Sequence, residues 1–185
     1  MPREESDEAL MLRYRNGEVR AFELLYERHK GPLFRFMLRQ CGQRAVAEEL
    51  FQDVWTNLIR SRSRYRVRAK FTTLLYQMAR NRIIDYRRSI GANPGHDHAA
   101  SEEPVETAAV DPGPQDRLGT ERTGARLRAL IASLPADQRD AFLLREEAGL
   151  RLEQIAKVTG VGTETVKSRL RYAVAKLKLA LSEDP

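Results

Sequence analysis

The 185-residue chain reads as an all-α protein, with two small helical domains joined by a flexible acidic linker and a helix-turn-helix in the C-terminal one. Three observations carry this reading. Apolar residues recur at helical spacing along both halves, the two halves are separated by one abrupt break in composition, and no convincing pair of strands exists to form a sheet. The break, SIGANPGHDHAASEEPVETAAVDPGPQDRLGTERTG, has Gly and Pro punctuation and few large apolar residues. It sets the expected boundaries at residues 1–88, 89–124 and 125–185.

In the front domain, Ser6 is placed to cap a helix that ends at Asn16 and Gly17. AFELLYERH, Ala21 to His29, sets Phe22, Leu25 and Tyr26 on one face, and Gly31-Pro32 is expected to interrupt the helix and restart it as PLFRFMLRQ. AEELFQDVWTNLIR then carries an apolar stripe of Leu50, Phe51, Val54, Leu58 and Ile59 opposite a polar face of Glu48, Glu49, Gln52, Asp53 and Asn57. FTTLLYQMARNRIIDYRR, Phe71 to Arg88, combines apolar Leu74, Leu75, Met78 and Ile83 with basic Arg80, Arg82, Arg87 and Arg88. Between these last two helices lies RSRSRYRVRAKF, with a cation at every second position from Arg60 to Lys70. Strict alternation is the period of a strand, but the opposite face, Ser61, Ser63, Tyr65, Val67 and Ala69, is too small and polar to anchor a sheet.

In the back domain, ARLRALIASLP stops at Pro135 and ADQRDAFLLREEAG closes at Gly149. LRLEQIAKVTGVGTETVKSRLRYAVAKLKLAL follows. Its Ala156, Gly160 and Val166 have the spacing of a helix-turn-helix: a small residue where the helices touch, a turn Gly, and a β-branched residue that locks the second helix. That second helix is expected to start near Thr163 as N-cap and to expose Glu164, Lys167, Ser168, Arg171 and Tyr172, a mainly basic face suited to the major groove. A helical hairpin with a solvated basic face is the plainer alternative.

Charge is divided along the chain. Residues 1–88 carry 19 Lys+Arg against 11 Asp+Glu, net +8; residues 89–125 carry 2 against 7, net −5; residues 126–185 carry 11 against 8, net +3. Two basic blocks flanking an acidic one favour a polyanion such as nucleic acid as partner. The charged N-terminus lacks the apolar core of a signal peptide and no run is long enough to span a bilayer, so the expected location is the cytosol. The single Cys41 is read as a small apolar residue near a helix end. His96, Asp97 and His98 have no third cluster to complete a metal site, so neither a metal nor another cofactor is expected. Without a Gly-rich phosphate loop, a nucleophile elbow or Cys/His metal spacing, no catalytic residue is assigned.

The motifs AFELLYERHKGPLF, AEELFQDVWTNL, KFTTLLYQMARNRIID and the terminal helix-turn-helix, in that order, resemble the extracytoplasmic-function group of bacterial RNA polymerase sigma factors. The resemblance covers nearly everything except the linker and the termini. It implies that the chain binds core RNA polymerase, recognises and melts promoters, and directs initiation. The partners implied are the β′ clamp helices and β flap of the polymerase, promoter DNA, and an anti-sigma factor. Glu49, Gln52 and Asp53 fall at the clamp-docking positions, and Tyr76 and Asn81 at those that capture an unstacked minus-ten base, although Tyr76 also fits a core aromatic. Arg80, Arg87 and Arg88 would add phosphate contacts, and Thr163, Lys167, Ser168, Arg171 and Tyr172 would meet the minus-thirty-five element. Leu74 stands where relatives commonly carry Trp, and Val174 where some carry a basic residue.

The same resemblance makes the alternating stretch a connection beside DNA, with Tyr65 and Phe71 packed inward and Arg64, Arg66, Arg68 and Lys70 on phosphates. The linker would thread toward the polymerase channels or serve only as a solvating tether. The competing class is a free-standing helix-turn-helix regulator whose front domain dimerises or senses a ligand; such a domain would supply a pocket in place of a carboxylate face and a basic helix.

Overall fold

A computed structural model describes residues 5–92 and 124–182, all helix and connecting turns with no strand among them. The expected linker, including His96 and His98, lies almost wholly outside the described residues. The front half is built from α1 (Asp7–Arg15), α2 (Val19–Cys41), α3 (Arg44–Ser61) and α4 (Phe71–Ala92). The back half holds α5 (residues 124–132), α6 (Ala136–Glu146), α7 (Leu152–Thr159) and α8 (Thr163–Ser182).

Local signals explain most of the boundaries. The Ser6 hydroxyl accepts the Ala9 amide at 3.2 Å, and Asp7 and Glu8 follow in the first turn, where the helix dipole favours acids. Glu8 also reaches across the fold to accept the Phe71 amide at 2.8 Å, so α1 caps the N-terminus of α4. Gly42 closes α2 in the left-handed region at φ 75°, and Gly160 closes α7 at φ 73°, returning their amides to Leu38 and Ala156. Pro135 starts α6, as a residue with fixed φ and no donor can.

In the front half, three expectations are corrected. α2 is one uninterrupted helix with Pro32 inside it. The lost Arg28 carbonyl bond is outweighed by apolar contacts on both sides of the proline, where Leu25, Leu33, Phe36 and Met37 are all fully buried. α4 continues four residues past Arg88, because the first strong breaker after it is Asn93-Pro94, where the residue before proline disfavours helix. Ile59 is exposed, and its place in the α3 stripe is taken by Trp55, which joins Phe22, Tyr26 and Phe51 in an edge-packed aromatic cluster between α2 and α3.

In the back half, Val166 is fully buried between α7 and α8, Leu170 packs beside it, and Thr163 is the first helical residue, not the cap. The Val166 amide bonds to the Gly162 carbonyl, which places Gly162 at the cap position. Arg169 pairs with Asp137 at 2.5 Å, and Arg126 and Lys176 donate to the carbonyls of Ala180 and Ser133, fastening α8 to α5 and α6. The two halves also pack on each other. α7 lies along α4 and α6 against α2, so the buried residues of both halves form one continuous apolar core.

Candidate nucleic-acid interface

The alternating basic stretch is a loop. Arg60 lies in the last turn of α3, Arg62–Arg64 form a single 3-10 turn, and the chain then runs irregularly to the start of α4. Its period breaks because Tyr65 and Phe71 turn inward to 7% and 0% exposure. Arg15 holds the Tyr65 carbonyl at 3.2 Å, and the Arg62 guanidinium lies over the Tyr14 ring. The remaining cations, Arg64, Arg66, Arg68 and Lys70, point to solvent, with Lys70 3.6 Å from Glu8.

This loop and the first turns of α4 enclose an open cleft of about 390 Å³. Arg64, Arg66 and Arg68 stand at its rim, buried Met11 and Leu58 form its inner wall, and Leu74 and Gln77 line the α4 side. An apolar wall with a cationic rim suits a flat ring carried on a phosphate backbone. Leu74, Gln77 and Thr73 were not among the site residues expected from the sequence; the available signal was their position at the start of α4 next to the basic loop.

Along α4 the expected DNA residues separate into two stripes. Asn81 and Arg88, seven residues apart, are exposed and continue the line of Leu74 and Gln77. Tyr76, Arg80 and Arg87 lie on a different face and are covered by the back half. Tyr76 is 1% exposed, edge-on to Phe36 at 5.3 Å, and its buried hydroxyl has no hydrogen-bond partner. Burial pushes its phenol pKa well up. Arg80 donates to Asp140 at 2.7 Å, and Arg87 lies 3.8 Å from the same carboxylate. A base stacked on Tyr76 is incompatible with this packing of the two halves.

On α3, Glu49 and Gln52 are exposed, while Asp53 is half-buried and paired with Arg82 of α4. On α8, Lys167 is exposed and bonded to Glu164 at 2.6 Å, Arg171 is exposed and covers the ring of Tyr172, itself 57% exposed, and Thr163 and Ser168 are half-buried. Elsewhere, burial pushes the Cys41 thiol up to about 11 despite nearby Arg87 and Arg139, which leaves it a poor nucleophile. Among the described residues no cluster of acids, His or Cys is arranged to hold a metal, and no helix is long and apolar enough to cross a membrane.

Known proteins match this arrangement along its length. The Sigma-70 region 2 family matches residues 25–92 and the Sigma-70 region 4 family matches residues 124–177. The ECF RNA polymerase sigma factor SigL of Mycobacterium tuberculosis is 32% identical over 175 residues, covering 90% of this chain and 92% of that protein. The chain belongs to the ECF sigma factors. RNA polymerase sigma factor CarQ of Myxococcus xanthus is another such relative, 29% identical over 176 residues, which cover 94% of this chain and 96% of that one. The fold agrees with two solved structures: CnrH in complex with the cytosolic domain of CnrY (TM-score 0.73, 20% identity, 98% and 100% covered), and the sigma factor RpoE in complex with the anti-sigma factor NepR from Bartonella quintana (TM-score 0.69, 22% identity, 89% and 98% covered). As an ECF sigma factor the protein binds core RNA polymerase and promoter DNA and directs transcription initiation. A regulator acting without replacing a sigma subunit is not favoured by matches that span both halves.

Proposed function

We propose that this sigma factor divides its work among four surfaces. Glu49, Gln52 and Asp53 on α3 meet the β′ clamp helices, where acids and amides accept charge-assisted hydrogen bonds from a basic partner. The back half engages the β flap and reads the minus-thirty-five element through Thr163, Lys167, Ser168, Arg171 and Tyr172. The basic loop, with Arg64, Arg66, Arg68 and Lys70, holds the phosphates of the minus-ten region. The exposed stripe with Asn81 and Arg88 bonds an unstacked base and its backbone, and the cleft beneath the loop accepts the ring. Tyr76, Arg80 and Arg87 join the DNA surface once the two halves part.

The observation that carries this reading is the cleft between the cationic loop and α4, an apolar wall under the guanidinium groups of three exposed arginines, of which Arg66 also donates to the Tyr65 carbonyl. The protein performs no chemistry of its own, and nucleotide addition belongs to the core enzyme. It works in the cytoplasm and is restrained by an anti-sigma factor, as its structural relatives CnrH and RpoE are found bound to CnrY and to an anti-sigma factor. Sequencing the transcripts that core polymerase starts on genomic DNA with this protein tests the proposal. New start sites sharing two spaced upstream motifs are expected; absence of both core binding and new starts would sink it.

A further inference from the structure

We propose that Asp140 and Glu147 are intramolecular stand-ins for DNA phosphates, clamping the back half over promoter-facing arginines so that the free protein masks part of its own DNA surface. The proposal rests on the reading of α4 as a DNA helix. Asp140 is 3% exposed, yet both carboxylate oxygens are engaged: Oδ1 accepts from Gln40 at 2.8 Å and lies 3.8 Å from Arg87, and Oδ2 accepts from Arg80 at 2.7 Å. Arg87 also donates to the Gln40 amide oxygen at 2.5 Å, closing the cluster. About two turns further on, at the C-cap of α6, Glu147 bridges two α2 arginines, with Arg35 at 3.0 Å and Arg39 at 2.8 Å. Gln154 of α7 adds 3.3 Å contacts to the hydroxyls of Thr72 and Thr73 at the head of α4.

Four guanidinium groups of the front half are thus met by two carboxylates of the back half. Guanidinium pairs with carboxylate and phosphate through the same planar donors, so a nearby acid is a competitor for a phosphate site. Beside the apolar contacts that join the halves, these ion pairs act as a latch, because desolvating ions gives little net stability while fixing one geometry. It lies beside Tyr76, which this packing removes from solvent. Separation of the halves therefore frees Arg80, Arg87 and Tyr76 together, and the closed population lowers apparent DNA affinity in proportion to its share.

The test uses the full chain carrying Asp140→Asn with Glu147→Gln, against a control with equal charge change at exposed acids, Glu23→Gln with Glu146→Gln. Spin labels at Asn57→Cys and Lys178→Cys, in a Cys41→Ser background, report the distance between the halves. A labelled 20-nucleotide single-stranded DNA reports affinity. Relative to the control, the latch variant is expected to show a longer, broader distance distribution and on the order of tenfold tighter DNA binding, as when the open fraction rises from about a tenth. Unchanged distances overturn the latch and leave the reading of α4 standing. Lengthened distances with affinity equal to the control overturn the proposal through α4 itself. Should the double variant lose its folded circular dichroism spectrum, Gln154→Ala, which removes the α7 to α4 contact together with the cap bond from the Arg151 amide, carries the same two measurements with a smaller expected gain, against Arg151→Ala as the control for the lost cap.

Discussion

Tyr76 shows how one side chain can satisfy a sequence pattern and still be placed by something the pattern does not contain. Leu75, Ala79 and Ile83 make the helical stripe that faces the front core, and Tyr76 lies one position to its side. Its burial comes from Phe36 and from the back half, whose arrival is invisible in the local sequence. Truncation by Tyr76→Ala is expected to cost about 3–5 kcal/mol, whereas Tyr76→Phe, which only deletes an unpartnered hydroxyl, should leave stability unchanged or raise it by up to about 1 kcal/mol. Urea denaturation distinguishes the two. Asp7 offers a second test, in pH. Burial raises its carboxyl pKa, but hydrogen bonds from His29 at 2.8 Å and Arg28 at 2.9 Å more than offset this and hold it below the usual value. A depressed native pKa gives stability that is present above the unfolded value of about 3.9 and is lost as pH falls through the native one. Asp7→Asn should therefore be less stable than the parent by about 1 kcal/mol at pH 7, with the gap closing below about pH 4 in parallel urea titrations.

Elements were legible where a breaker agreed with the tertiary fold and misread where it did not. Gly17, Gly42, Gly149 and Gly160 all adopt positive φ, and each follows a helix, Gly42 and Gly160 directly as caps and Gly149 three residues after α6 has ended at Glu146. Pro32 carries an equally strong local signal, yet α2 runs through it, because fully buried Leu25 and Leu33 on either side demand a continuous ridge. Pro32→Ala should then stabilise the protein by about 1–3 kcal/mol by restoring the Arg28 bond and relieving the ring clash, seen as a higher denaturation midpoint at unchanged slope. The alternating basic stretch was the converse case. Its composition pointed to nucleic acid and its period to a strand; the loop won because Tyr65 and Phe71 are drawn into the core.

At the scale of the whole molecule, the helical class, the break in composition and the helix-turn-helix were all readable from spacing and charge. The closure of one half on the other was not. Asp140 and Gln40 did leave a trace, since each sits on the apolar face of its helix, among Ala141 and Leu144 and among Phe36 and Met37. A buried acid on an amphipathic helix asks for a distant cation, but only the fold reveals that the cations are Arg80 and Arg87. The central claim, that the basic loop and α4 hold the opened promoter, is tested most directly by the salt dependence of open-complex formation. Holoenzyme made with the parent protein is compared with one carrying Arg64, Arg66, Arg68 and Lys70 all changed to Ala. Each lost phosphate contact removes about 0.7–0.9 from the log–log salt slope, so the variant should open promoters more weakly and with a slope shallower by about 3. An unchanged slope would mean that these four cations face water and not DNA, and would contradict the account.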